Sequence, residues 1–218
     1  MESCKHLGMT IYCDNSLDKD CDVKRGKFVG KVHSLTQELY FASSDVLMKL
    51  LDVYCTSFYG SNCWDLFSNK CDRFYKAWNV SCRIILKISN LSHRYLIESL
   101  TDYIHPKVIM CSRFIKFHDS LNNCKKSLLR VLSNCNKNDL RTVYGANLYK
   151  IAKECNLETN ELNSSIVKTK MKYFPLPENE SWRVPLIKEL LAVKAQGLTL
   201  QGFTNKEIDE IIVDACTS

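Results

Sequence analysis

The amino-acid sequence predicts a mainly α-helical fold: a helical bundle preceded by a short N-terminal β-strand and followed by a small helical appendage. Three observations point there. Apolar residues recur every three or four positions in successive segments, the period of helices with one buried face. Capping and breaking residues bound those segments. The one strand-like run is N-terminal.

That run is Cys4–Cys13, mostly apolar, with Thr10, Ile11 and Tyr12 at its end. Asp14, Asn15 and Ser16 signal a turn after it. From about residue 23 the pattern is helical, with Phe28, Val32, Leu35 and Leu39 on one face and Lys24, Lys27 and Lys31 as a basic stripe. Ser43-Ser44-Asp45 is an N-cap signal for a helix to about Phe58. Tyr59–Asn62 breaks it. A helix over 70–88 follows, then a short one capped by Ser92. Pro106 suits the first turn of a long helix through Val131, and another helix fits 138–155. Residues 156–180 are rich in Asn, Ser and Lys and hold Pro175 and Pro177, so they read as a linker. Short helices over 182–195 and 205–215 close the chain. The expected organisation is strand and turn over 1–22, a bundle over 23–156, a linker over 157–180 and a helical tail over 181–218.

Composition is that of a globular chain: 218 residues, 45% hydrophobic, 25% charged, with a formal net charge of +6. The mild basic bias fits a nucleic-acid partner or an ordinary basic domain. Twelve cysteines occur, but no Cys-x-x-Cys spacing. His105/Cys111 and His118/Cys124 match no common zinc module. No apolar leader or membrane-length run is evident. The expectation is reduced thiols packed as small hydrophobes in a cytosolic or nuclear, non-secreted protein with no membrane partner.

Enzymatic templates fail. Asp18, Asp20 and Asp22 alternate as in a calcium loop, but Val23 and Val29 stand where Gly and Glu are required. The glycines form no phosphate loop, the histidines are scattered, and no Asp-Asp pair exists for two-metal phosphoryl transfer. No cofactor, metal or small-molecule substrate is expected.

The most informative stretch is 70–88. At about 100° per residue, Phe74, Trp78, Cys82, Ile85 and Ile88 share one face. Arg73, Lys76, Arg83 and Lys87 gather on the other. Such a helix docks an aromatic face on a core and presents cations to a polyanion; the alternative is a solvated face of a bundle.

Short landmarks in this order resemble the C-terminal part of a reverse transcriptase from a LINE-type, non-LTR retrotransposon. His6-Leu7-Gly8-Met9-Thr10-Ile11 is similar to the Tyr-Leu-Gly strand that ends the palm near the primer, with His6 in place of Tyr or Phe. Ser57–Trp64 resembles the Leu-Tyr-Gly-x-x-x-Trp turn between thumb helices. Ala77-Trp78-Asn79-Val80-Ser81-Cys82-Arg83-Ile84, with His93, is similar to the Ala-Trp-x-x-x-Leu-Arg-Arg…Thr-His pattern. Ile84 stands where a second Arg is common. Gly202–Ile208 through Ser218 is similar to the terminus of several such elements.

The resemblance implies a thumb that grips a template–primer duplex, with Leu7 and Gly8 in the primer-region strand. The fingers and the catalytic palm, which would bind Mg, are missing upstream of Met1 and are potential partners. The chain would then bind RNA–DNA or DNA duplex phosphates through Arg73, Lys76, Arg83, Lys87, Lys24, Lys27 and Lys31 without catalysing synthesis alone. Two alternatives stand beside this: a helical protein–protein interaction module with an apolar groove near 160–218, and a nonfunctional product of a decayed element.

Overall fold

A computed structural model describes residues 3–6, 9–12, 17–56, 58–101, 103–171, 183–195 and 205–217. The protein is mainly α-helical. Instead of one strand over Cys4–Cys13, two four-residue strands, β1 (Ser3–His6) and β2 (Met9–Tyr12), pair antiparallel with Ser3 opposite Tyr12 and His6 opposite Met9. A glycine inside a strand run weakens it, and Gly8 lies between the two. Leu7 and Gly8 themselves lie outside the described residues.

Ten α-helices follow among the described residues. The first, α1 (Leu17–Glu38), starts six residues before the expected position. Asp18, Asp20 and Asp22 fall in its first turns, where acids complement the positive end of the helix dipole. Next, α2 (Ser44–Leu50) continues into a π-helical turn over Leu51–Cys55. A 3-10 turn over Ser61–Cys63 precedes α3 (Asn69–Leu86). Then come α4 (Arg94–Thr101), α5 (Pro106–Asn122), α6 (Ser127–Asn136) and α7 (Val143–Cys155). The last three are α8 (Ser164–Lys170), α9 (Arg183–Ala195) and α10 (Asn205–Thr217). No described helix is long and apolar enough to cross a membrane.

Two expected elements are corrected. The long helix from Pro106 ends at Asn122: the amides of Asn123 and Cys124 close back on the Asp119 and Leu121 carbonyls at 3.0 and 3.2 Å. Leu128 and Val131 extend the apolar period but are exposed, so the periodicity there does not mark a buried face. The expected linker contains α8. Asn163 caps it by accepting from the amides of Ser165 and Ile166 at 3.1 and 2.9 Å. Leu162, Val167 and Met171 around it are buried. The remainder of that stretch, 172–180, lies outside the described residues.

The chain divides into two compact units that are not consecutive in sequence. The first comprises 1–27, 57–76 and 105–173; the second comprises 28–56, 77–104 and 174–218. The division therefore differs from the expected strand, bundle, linker and tail. Within the first unit the core includes Cys21, Trp64, Leu66, Phe74, Tyr75, Phe114, Leu148 and Val167. The buried Asn147 amide ties α7 to the segment before α3: its oxygen accepts from the Leu66 amide at 3.1 Å and its nitrogen donates to the Trp64 carbonyl at 2.8 Å. A Cβ on Gly145 would stand 2.6 Å from the Asn136 carbonyl oxygen and closer still to that of Asp139, so this approach of backbones requires glycine.

Also in the first unit, four side chains form a closed hydrogen-bond circuit. Asn122 Nδ2 donates to His118 Nε2 at 2.9 Å. His118 Nδ1 therefore carries the proton and donates to the Tyr144 hydroxyl. Tyr144 donates to Ser133 Oγ at 2.8 Å, and Ser133 donates to Asn122 Oδ1 at 3.1 Å. The circuit joins α5, α6 and α7.

In the second unit the core includes Phe28, Val32, Leu47, Trp78, Cys82, Ile85, Leu96, Ile97, Ile187 and Ile212. The Ser44 hydroxyl donates to the Ile85 carbonyl at 2.9 Å, and the His93 amide donates to the Cys216 carbonyl at 2.9 Å. The Ser92 hydroxyl, expected as a helix cap, is buried without a hydrogen-bond partner among the described residues.

Candidate nucleic-acid interface

The interface expected from sequence consists of cations on α1 and α3, and the structure sorts them by what each already holds. In the first unit, Lys24 is turned inward. It forms an ion pair with the buried Asp20 at 3.1 Å, donates to the Tyr59 carbonyl, and sits 5.4 Å from the Trp64 ring centroid. Asp20 also accepts from Trp64 Nε1 at 3.0 Å. Lys24 and Asp20 thereby pin the Tyr59–Trp64 turn onto α1, and Lys24 is a structural residue rather than a phosphate contact. The signal was available in the sequence: Asp20 lies four positions ahead of Lys24, a helical ion-pair spacing. Gly60 gives the turn its shape, at φ 82°.

Arg73, Lys76 and Lys27 in the same unit are exposed. Arg73 and Lys76 lie one helical turn apart on α3, while Cys71, Phe74 and Tyr75 between and beside them are buried. Acids stand nearby in this unit. Asp22 pairs with Lys70 and lies 3.6 Å from Arg25, and the Lys70 hydrogen bond is the main cause holding its carboxyl below the usual range.

In the second unit, Arg83 departs most from expectation. It is 6% exposed, and its guanidinium donates to the Ser92 carbonyl from Nη2 at 2.6 Å and from Nε at 3.3 Å. Burial, and secondarily the positive charge of Arg94, lower its pKa. Arg83 braces the chain entering α4 and does not face solvent. The exposed positions of α3 in this unit are Val80 and Ile84, both apolar where a cationic face was expected. Lys87 follows the end of α3 at φ 58°. The Lys87 amide bonds to the Ile84 carbonyl at 3.2 Å and the Ile88 amide to that of Arg83 at 3.1 Å. This is a Schellman closure, with Lys87 in the left-handed position glycine normally fills. Lys31 is exposed but donates to the Tyr54 carbonyl at 2.9 Å.

No cluster of three or more metal-ligating side chains occurs among the described residues. Among the ten cysteines with described side chains none forms a disulfide, and seven are buried. Burial raises the Cys111 and Cys82 thiols well above the ordinary range, so they behave as inert packing groups.

The chain matches no protein-family model, no curated protein and no solved structure.

Proposed function

We propose that this chain is a non-catalytic, thumb-like helical region related to the C-terminal part of LINE-type reverse transcriptases, and that it binds nucleic-acid duplexes through their phosphates. The observation that carries the proposal is the Arg73/Lys76 pair: two exposed cations on one turn of a helix whose neighbouring side chains are locked in a core. Lys27 adds a third exposed cation in the same unit. Phosphate contact by side chains on a rigid frame gives sequence-independent, salt-dependent binding.

Several of the residues that carry the resemblance have structural tasks. Gly60 makes the turn, Trp64 and Trp78 are buried, and Arg83 holds the carbonyl immediately before His93. The pattern's second Arg would fall at Ile84, which is exposed.

The test is titration of an RNA–DNA hybrid at several salt concentrations. Removing two phosphate contacts by Arg73→Glu with Lys76→Glu lowers the slope of log affinity against log salt by about 2. No binding at low salt, or an unchanged slope in the variant, refutes the reading.

A second reading, a helical protein–protein interaction module, is favoured by α6. Leu128, Leu129, Val131 and Leu132 are all exposed there, Leu128 at 67%, and exposed apolar clusters of this kind mark interaction sites. The module expected near 160–218 therefore has its best-described candidate face elsewhere, in the first unit. Leu128→Glu with Val131→Glu would abolish self-association on this reading and leave hybrid binding intact.

A further inference from the structure

Within the first unit, the 58–63 loop and one face of α5 enclose a cleft of about 520 Å3. This lies within the range of ligand-binding clefts, roughly 300–1,000 Å3. From α5 come Arg113, Lys116, Phe117 and Ser120, a helical spacing that aligns them on one face. From the loop come Phe58, Gly60, Asn62 and Tyr59.

The charge in the cleft has one sign. Arg113 and Lys116 line it, no carboxylate does, and neither cation has an acidic partner among the described residues. The Arg113 guanidinium rests 5.5 Å from the Phe58 ring centroid. Phe58 is itself fixed edge-on against Phe74 at 5.6 Å. A cation–π contact of this kind holds the cation at the ring without using its N–H donors, which an oxyanion can then accept from. Tyr59 and Phe117 add an aromatic side to the cleft. Tyr59 is 54% exposed, and Phe117 is half-buried beside the cations. The Asn62 side chain adds an amide, which offers a donor and an acceptor side by side.

We propose that this cleft binds a nucleotide, its phosphate held by Arg113 and Lys116 and its base stacked on Tyr59. A phosphate alone would leave the aromatic wall unused, and an apolar ligand would leave two cations unpaired. A nucleotide engages both, and base–aromatic stacking is tolerant of base identity. The inference stands on α5 and the 58–63 loop and does not rest on Arg73, Lys76 or the resemblance. The nucleotide's source is either a free mononucleotide or one residue of a single strand.

The experiment is equilibrium binding of AMP, a short oligoadenylate and inorganic phosphate to the full chain at low salt. AMP or the oligoadenylate binds at least about tenfold more tightly than inorganic phosphate, since stacking contributes of that order per base. Binding of AMP identifies a free-nucleotide site, and binding of the oligoadenylate alone identifies a strand site. Tyr59→Ala weakens the nucleotide about tenfold without changing phosphate affinity. Arg113→Glu with Lys116→Glu abolishes both. These residues are exposed, so an unchanged thermal melt shows the variants folded, and Arg73→Glu with Lys76→Glu leaves AMP affinity intact. Failure of both AMP and oligoadenylate to bind at millimolar concentration overturns the proposal. So does binding that Tyr59→Ala leaves unchanged, or that survives the Arg113/Lys116 reversal.

Discussion

Arg83 donates two hydrogen bonds to a single acceptor, the Ser92 carbonyl, at 2.6 and 3.3 Å. A helical wheel places this arginine with Arg73, Lys76 and Lys87. The fold uses it to close the loop between α3 and α4 instead. Replacing it removes a charge-assisted bond and leaves a buried carbonyl unsatisfied, at a cost of about 2–4 kcal/mol. Arg83→Ala should therefore lower the denaturant midpoint sharply, and Arg83→Lys should recover part of the loss. Hybrid affinity measured on the remaining folded protein should not change.

Lys87 predicts the opposite sign. A non-glycine residue at φ 58° carries a steric penalty that glycine avoids. Lys87→Gly should raise stability by about 0.5–1 kcal/mol, read as an upward shift in chemical denaturation midpoint. Asn156, at φ 53°, closes α7 in the same conformation with a residue better suited to it, and Asn156→Gly should gain less.

Glu98, on α4 in the second unit, has Oε1 buried without a hydrogen-bond partner among the described residues. Burial raises its pKa from 4.5 to about 7. The folded state thus holds this proton more tightly than the unfolded state does. Stability is fully present below about pH 4.5 and is lost as pH rises toward 7. A shift of this size is worth about 3 kcal/mol in a fully buried site, and partial exposure screens it to about 1–2 kcal/mol. Glu98→Gln should remove this slope and stabilise the protein at mildly alkaline pH.

The His118 circuit in the first unit carries the reverse dependence. Its Nε2 must accept from Asn122, so the ring must be neutral, and burial lowers its pKa below the usual 6.5. Asp119 opposes that shift and Lys137 adds to it. The unfolded chain takes up the proton first, so stability falls as pH drops below about 6.5. Tyr144→Phe breaks the circuit at two bonds. It should destabilise the neutral-pH protein by about 1–3 kcal/mol while the acid-side slope, which burial of His118 sets, persists; denaturant titration across pH measures both.

The helices most legible in the sequence were those with strong local signals. The expected 70–88 helix is α3 at Asn69–Leu86, the start at Pro106 holds, and α9 begins within a residue of expectation. Misreadings arose where a local signal had two meanings. Alternating acids at 18–22 suited a loop and a helix start equally. The apolar period through Leu128 and Val131 ran on across the break between α5 and α6 and so suggested one buried face, whereas α6 exposes those residues. The polar stretch hid α8, which is capped by Asn163 and anchored by Val167. For the site, exposure of Arg73 and Lys76 followed from their helix face. The inward role of Lys24 was signalled only by Asp20 four positions ahead of it, and that of Arg83 not at all, because its acceptor, the Ser92 carbonyl, is a backbone atom that side-chain patterns do not reveal. The Arg113/Lys116 cleft was missed because its aromatic half lies more than fifty residues upstream, in the 58–63 loop.

The central claim is that exposed α3 cations hold a duplex by its phosphates. The most direct measurement is the salt dependence of RNA–DNA hybrid affinity for the native chain beside Arg73→Glu with Lys76→Glu. The account predicts binding at low salt that falls linearly on a log–log plot, with a slope shallower by about 2 in the variant and an unchanged melting temperature. Equal slopes in the two proteins, or no hybrid binding by the native chain, would contradict it.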